Sequence, residues 1–437
     1  MKQLIFLFSI LLALPGYSQS DIPSRLAAYL QAQTDVNGFS GAVLVANKDT
    51  ILLQQAYGLA NYDWKIRNTP DTKFGLASVS KQFTAVAILQ LVESGKLSLD
   101  SRLNTFFSGF PKGDTVTIHM LLAHTSGLDA DFDELYLKST QLSNDSVLAA
   151  IEKKPYLFSP GTACSYSNIG YFLLARIIEQ VSGEKYADYL QKHLFSVADM
   201  RNSGVTTNDA IIPQKASFYC RTAQGYVNNP YINWEVNIGH DGIYSTVEDL
   251  YRWNKALFQG RKLISEASKT KMFTPYNDQH FGYGLIINPP YNQGHQLIAH
   301  DGGFFGVMTS FNWFSQDNLF IVVLSNNQSP SYLIAPALAG IVFGKPVTLP
   351  YHHVQVPTNT QLYDDYVGKY ENINILKING KLCYNDEEIQ LLPESDKKFF
   401  RADNPDRTIE FIADKKGRVH SLLITNAGVQ VVKRKEK

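Results

Sequence analysis

Between residues 22 and 33 apolar positions recur at helical spacing, and then the rhythm changes. Residues 41–46 and 51–57 read as two strands, joined by the turn-rich Asn47-Lys48-Asp49-Thr50. Residues 83–92 are apolar on nearly every side, broken only by Thr84 and Gln90. A helix with no polar face is a buried one, and Gly95 stops it. Whatever stands at its N-terminus is therefore held by a rigid, central element. Further helices are predicted at 169–181, ended by Gly183, at 186–194, and at 247–258, ended by Gly260; the last opens on the capping box Ser245-Thr246-Val247-Glu248. Residues 306–313 and 319–325 flank Ser315-Gln316-Asp317-Asn318 as a hairpin. Strands near the start, a hairpin near the end and helices between them predict an α+β fold, one antiparallel sheet flanked by helices.

Both ends of the chain depart from that pattern. Lys2, an apolar run over residues 4–14 and the small, polar exit Gly16-Tyr17-Ser18-Gln19-Ser20 read as a cleavable signal peptide, 1–20. The run is too short to span a bilayer comfortably, no Cys follows it, and no later segment reaches spanning length. The mature protein is thus expected to be periplasmic or secreted, without a transmembrane segment after cleavage. Three prolines between Pro346 and Pro357 mark a linker, 346–360, after a main domain over 21–345. Beyond it, short strands at 366–370, 376–378, 382–384, 389–392, 399–402, 408–412, 419–424 and 429–432 predict a small barrel-like all-β domain, 361–437.

Composition narrows the function classes. Hydrophobic residues make up 44% and charged residues 18%, which is globular. The 40 Lys and Arg balance the 40 Asp and Glu, so net charge gives no reason to expect nucleic acid or an anionic membrane as partner. Cys164, Cys220 and Cys383 are odd in number and widely spaced; at most one pair could be bridged, and no disulfide framework follows. Neither H-e-x-x-H nor a paired C-x-x-C spacing is present, so no metal and no organic cofactor is implied. Oligomeric state is not readable from these features.

Candidate chemistry starts at the buried helix. A serine hydroxyl is a poor nucleophile until a base takes its proton. In Ser78-Val79-Ser80-Lys81, residues three apart on a helix face the same way, which brings the Lys81 amine to the Ser78 hydroxyl. Taken alone, the pattern is also that of a helix cap followed by a surface lysine. Tyr166-Ser167-Asn168 stands just before the helix at 169; a phenol can shuttle a proton and an amide can hold a substrate amide. Its plain alternative is a turn and N-cap. His300-Asp301-Gly302-Gly303 lies immediately before the hairpin, where a strand edge could present the Gly303 N–H as an oxyanion donor beside that of Ser78, with His300 supplying a cation or proton donor. The same triplet at His240-Asp241-Gly242 is set aside as the third element because it precedes a helix. Phe132, Tyr136, Tyr219, Tyr226 and Trp234 are candidate walls of a cleft, or ordinary packing.

S-x-x-K combined with a tyrosine–asparagine loop and a glycine-bearing strand resembles the serine β-lactamase and penicillin-binding protein superfamily. The likeness is to its class C-like branch, where Y-x-N replaces S-D-N, and to the group of D-alanyl-D-alanine carboxypeptidases, D-aminopeptidases and esterases. It runs through Phe74-Gly75-Leu76-Ala77-Ser78, Leu121-Leu122-Ala123-His124-Thr125-Ser126-Gly127-Leu128, Pro160-Gly161, Tyr244-Ser245-Thr246 with Asp249-Leu250, and Tyr283-Gly284. The resemblance implies a β-lactamase/transpeptidase-like fold with Ser78 acylated, Lys81 as general base and Tyr166 as proton shuttle. Asn168, His300, Gly302 and Gly303 would then bind a small-molecule or peptide substrate. The His124 segment is read as a structural turn beneath the site. Histidine at 300, where such proteins often carry lysine, removes a permanent cation facing a substrate carboxylate. That favours hydrolysis of D-amino-acid peptides, amides or esters. Left open are a penicillin-binding or peptidoglycan-sensing protein that acylates with little turnover, and a class C-like β-lactamase. The C-terminal part resembles a lipocalin-like appendage, with Tyr366-Val367-Gly368-Lys369-Tyr370 its most recognisable piece.

Overall fold

A computed structural model describes residues 21–132, 137, 142, 144–222, 224–385, 389–404 and 406–436. The signal peptide expected at 1–20 and Tyr136 lie outside the described residues. Helix α1 (Ile22–Asn37) has a proline in its first turn and ends at Gly38, whose left-handed φ of 70° caps it. Strands β1 (Gly41–Asn47) and β2 (Thr50–Tyr57) follow, then α2 (Lys81–Glu93), α3 (Asn168–Ser182) and α4 (Val247–Asn254). The main chain returns through β3 (Ile286–Ile287), β4 (Leu297–Phe304), β5 (Val307–Phe314), β6 (Leu319–Ser325) and α5 (Ser331–Val342).

These strands form one antiparallel sheet in the order β3-β4-β5-β6-β1-β2, closed between the two ends of the chain by the pairing of β1 with β6. Successive side chains of a strand point to opposite faces. Ala42, Leu44, Ala46, Val322 and Leu324 therefore join the core that holds α2 and α3. Val43, Val45, Ile321 and Val323 join the one beneath α1 and α5. Helix α2 is buried from Lys81 through Leu89, as its lack of a polar face requires. Its polar members are satisfied within the core: Gln82 accepts from the Trp253 indole at 2.7 Å, and the Thr84 hydroxyl donates to the Gly239 carbonyl at 2.6 Å.

The α+β class and the sheet-with-helices architecture stand. Two local expectations change. The hairpin at 306–325 is the last part of a three-stranded meander, because 297–304 is itself a strand. His300, expected just ahead of the hairpin, lies inside β4, the strand that precedes it. Gly302 and Gly303 obscure the alternation there; glycine in a strand marks a close backbone approach, which is what Gly302 serves. The helices expected at 186–194 and 247–258 each pass into a π turn, at Gln191–Phe195 and Lys255–Gln259.

Toward the C-terminus eight strands follow one another as a three-stranded and a five-stranded antiparallel sheet, from Gly368 to Arg434. Single bridges, Tyr370 to Lys435 and Cys383 to Gln390, join the two sheets at both seams. The interior is filled by Tyr366, Tyr370, Phe399, Phe411 and aliphatic residues, with Tyr366 stacked on Phe411 at 4.0 Å. This β region meets α1, where the Tyr29 hydroxyl donates to the Ala427 carbonyl at 2.8 Å and Asn37 to Asp406 at 2.7 Å. That is the sheet face opposite α2. Cys164, Cys220 and Cys383 are free thiols, and among the described residues no helix is long and apolar enough to cross a membrane.

Candidate active site

The nucleophile turn is pinned from two sides. Strand Phe74–Gly75 pairs with Ile243–Ser245, and the Leu76 N–H donates to the Ile243 carbonyl at 2.8 Å. Ala77 then takes a left-handed φ of 47°, a costly conformation for a residue with a Cβ, and the tight turn Ala77–Ser80 delivers Ser78 to the head of α2. On the other side β4 lies against the turn. β3 pairs with β4 only at Ile298 and Ala299, so past His300 its outer edge has no strand partner among the described residues. A Cβ on Gly302 would sit 2.5 Å from the Leu76 carbonyl and 2.3 Å from the Thr309 hydroxyl. Only glycine lets the strand close on the turn.

Lys81 is fully buried and makes three contacts through Nζ: Ser78 Oγ at 3.0 Å, Asn168 Oδ1 at 2.7 Å and the His240 carbonyl at 3.1 Å. The last two are carbonyl oxygens and can only accept. A neutral amine donates its two N–H groups to them, which turns its lone pair toward Ser78. Burial lowers the Lys81 pKa to about 7, against the attraction of Asp241 and Asp131. Tyr166 lies with its ring 4.7 Å from the same Nζ and stacks on His124 at 4.6 Å. Burial raises its phenol well above the ordinary tyrosine range, and hydrogen bonding with Ser78 offsets only part of that.

Expected features and their alternatives are both visible in the Tyr166-Ser167-Asn168 loop. Ser167 is an N-cap, accepting from the Gly170 N–H at 3.1 Å, while its neighbours face Lys81. The His124 turn supports the loop from behind: its Nδ1 accepts from the Ser167 N–H at 3.1 Å, and its ring backs Tyr166.

His300 is buried, and its Nδ1 approaches the Asp301 carbonyl at 2.6 Å. A carbonyl only accepts, so Nδ1 carries the proton. Burial, then repulsion from Lys81, lowers the ring pKa to about 4. The ring is neutral near pH 7, and its buried Nε2, without a partner among the described residues, offers a lone pair and not the cation or proton donor expected from sequence.

One group was passed over. Asp241, in the His-Asp-Gly triplet set aside above, has its side chain almost wholly buried, with Oδ1 3.5 Å from Ser78 Oγ and Oδ2 3.4 Å from His240 Nδ1. The triplet does not run straight into α4; the strand Ile243–Ser245 comes between and carries it to the nucleophile turn. Gly239 and Gly242, both at positive φ, flank it, and a Cβ at 239 would lie 2.2 Å from the Tyr171 carbonyl. Recurrence of the triplet was the signal available in the sequence. Of the wall candidates, Phe132 stacks behind His240 at 5.4 Å and Tyr219 is buried against Tyr62. Trp234 packs with Phe218 and Phe304 beside Ala77.

Gly302→Ala is expected to push β4 off the nucleophile turn and lower kcat/KM roughly 100-fold, the scale of an ångström-sized misplacement. Circular dichroism of the variant should stay that of the wild type. Unchanged kinetics would mean that the strand and turn need not touch.

Comparison with known proteins agrees with this architecture. The family model described as Beta-lactamase matches residues 26–340. A penicillin-binding protein of Bacillus subtilis (strain 168) is 30% identical over 409 residues, which cover 83% of this chain and 88% of that protein. The crystal structure of a penicillin binding protein from Bacillus halodurans superposes with a TM-score of 0.65 at 31% identity, covering 72% of this chain and 98% of the other. The D-amino acid amidase from Ochrobactrum anthropi SV3 shares the fold, with a TM-score of 0.66 at 20% identity over 74% of this chain and 98% of that one.

Proposed function

Because this chain belongs to the β-lactamase family of serine hydrolases, we propose that it cleaves amides and esters of D-amino acids through an acyl-enzyme on Ser78. The observation that carries the reading is the buried Lys81 amine, 3.0 Å from Ser78 Oγ with both of its other acceptors fixed. Neutral Lys81 takes the Ser78 proton as Oγ attacks the scissile carbonyl carbon. The backbone N–H groups of Ser78 and Gly303 receive the oxyanion. Tyr166, held between Lys81 and His124, passes the proton to the leaving amine or alkoxide. Water then attacks the ester carbon and releases the acid. Asn168 orients Lys81 through its oxygen and keeps its NH2 for substrate, and His300 Nε2 accepts from a substrate N–H or O–H. A neutral His300 supplies no cation for a substrate carboxylate, which favours amides and esters over lactams. A D-amino acid amidase of the same fold is in keeping with that substrate class. Residues 21–345 are assigned to this activity, with 346–360 as linker and 361–437 as an appended β domain. Residues 1–20 are assigned to export, to the periplasm or medium.

A substrate panel tests the reading. D-alanine p-nitroanilide and p-nitrophenyl esters should turn over and leave a transient mass adduct on the peptide containing Ser78, and a cephalosporin should be hydrolysed slowly or not at all. A stable adduct with no turnover on any substrate would instead make the protein a penicillin-binding sensor.

A further inference from the structure

The carboxylate of Asp241 is in an unusual position for a buried charge. Its side-chain exposure is 4%, and burial alone would favour the neutral acid, yet His240, Lys81 and Ser78 together hold its pKa below the ordinary value. Among the described residues, however, its polar contacts are long: Ser78 Oγ at 3.5 Å and His240 Nδ1 at 3.4 Å. Lys81 does not close the gap, since its three contacts go to Ser78, Asn168 and the His240 carbonyl. His240 presents Nε2 to the Val236 carbonyl at 3.1 Å. A carboxylate accepts at up to four lone-pair positions, and one buried without close donors is costly unless a ligand supplies them. The loop that holds it there is rigidly built, between two glycines at positive φ and under the Thr84–Gly239 hydrogen bond.

What stands opposite it follows from covalent geometry. A scissile carbonyl carbon in attack position lies about 3 Å from the serine oxygen. The α-nitrogen of an amino-acyl group lies about 2.5 Å from that carbon. These lengths let an oxygen 3.5 Å from Ser78 Oγ come within hydrogen-bond reach of that nitrogen.

We propose that Asp241 is the subsite for a free α-ammonium group, which makes the preferred substrates amino-acid amides, esters or peptides with an unblocked N-terminus. The inference rests on the acyl-enzyme reading above and narrows it to one substrate class. A charge-assisted pair of this kind is short and strong in a buried setting. It also couples to the chemistry: a bound ammonium neutralises the carboxylate whose attraction holds the Lys81 proton, so the right substrate favours the free-amine form of the base.

The test compares D-alanine p-nitroanilide with its N-acetyl derivative on the full chain, with p-nitrophenyl acetate as a substrate without an amine. Wild type should prefer the free amine by about 100-fold in kcat/KM, because a site built to pair with a group rejects the analogue lacking it. Asp241→Asn should shrink that ratio to within about threefold, whatever it does to the rate on both substrates together. Equal rates on the two anilides in wild type would overturn the proposal without the need of a variant. So would an equal loss on both in Asp241→Asn with a persistent acyl adduct, which would make Asp241 a base for the hydrolytic water. If p-nitrophenyl acetate leaves its adduct on Ser78 but no amine preference appears, only this inference fails. If no substrate reacts at Ser78, the hydrolase reading fails and takes this inference with it.

Discussion

Ser78→Ala should lower kcat on p-nitrophenyl esters by about 10⁴- to 10⁶-fold, as loss of an acylated nucleophile does. The expectation comes with a structural control. Ser78 Oγ contacts Lys81 and Asp241, and both belong to the site. None of the elements that fix the turn depends on the hydroxyl: the pairing of 74–75 with 243–245, the Leu76–Ile243 bond and the Gly302 approach are all made without it. Lys81 keeps its bonds to Asn168 and the His240 carbonyl. Thermal melting should therefore be unchanged or slightly higher, since active sites hold strain that their removal releases. Activity retained at more than about a hundredth of wild type would place the nucleophile elsewhere. A large drop in melting temperature would show that the hydroxyl is part of the fold.

The sequence made the central helix legible because burial on all sides writes itself as an uninterrupted apolar run, with the reactive pair at its head. The strands β1, β2 and β6 were legible for the related reason that each is a short apolar run bounded by turn residues. β4 was not. Its second half is Asp301-Gly302-Gly303, a loop-like composition, and it is a strand because its neighbour β5 pairs with it and because the nucleophile turn leaves no room for a side chain at 302. Close approach of backbone to backbone selects the residues that local propensity reads as a break. The same physics hid Asp241. Two glycines and a short triplet look like a turn in the chain, and only the pairing of Ile243–Ser245 beside Phe74–Gly75 carries that turn to Ser78. The protonation state of His300 was also out of reach, since it depends on burial and on a carbonyl one residue along that fixes the tautomer.

The pH profile of acylation is the second large effect, and it identifies the base. Lowering the Lys81 pKa from 10.5 to about 7 disfavours the ammonium by roughly 5 kcal/mol, which places the free amine within the working range. As a base Lys81 acts deprotonated, so kcat/KM on p-nitrophenyl acetate, which carries no amine of its own to titrate, should rise with pH, reach half its maximum near pH 7 and level off above it. Two variants separate charge from titration. Lys81→Met removes the base, and Lys81→Arg keeps a cation that does not deprotonate in a protein. Both should lose about 10⁴-fold, the upper range for a general base, and both should lose the acid limb. The titratable groups around the amine include Asp241, Asp131, Tyr166, Tyr171, His124 and His300. Of these, His300 sheds its proton near pH 4, His124 is held well below the ordinary histidine range, and Tyr166 well above that of tyrosine. A limb that survives in Lys81→Arg would belong to another group. A limb displaced well below pH 5 would point to a carboxylate, and Asp241, beside the serine, would then be the base in place of the lysine. The predicted position of the limb thus follows from where the chain has buried one amine, since a solvated lysine at 81 would leave Ser78 without a base at neutral pH.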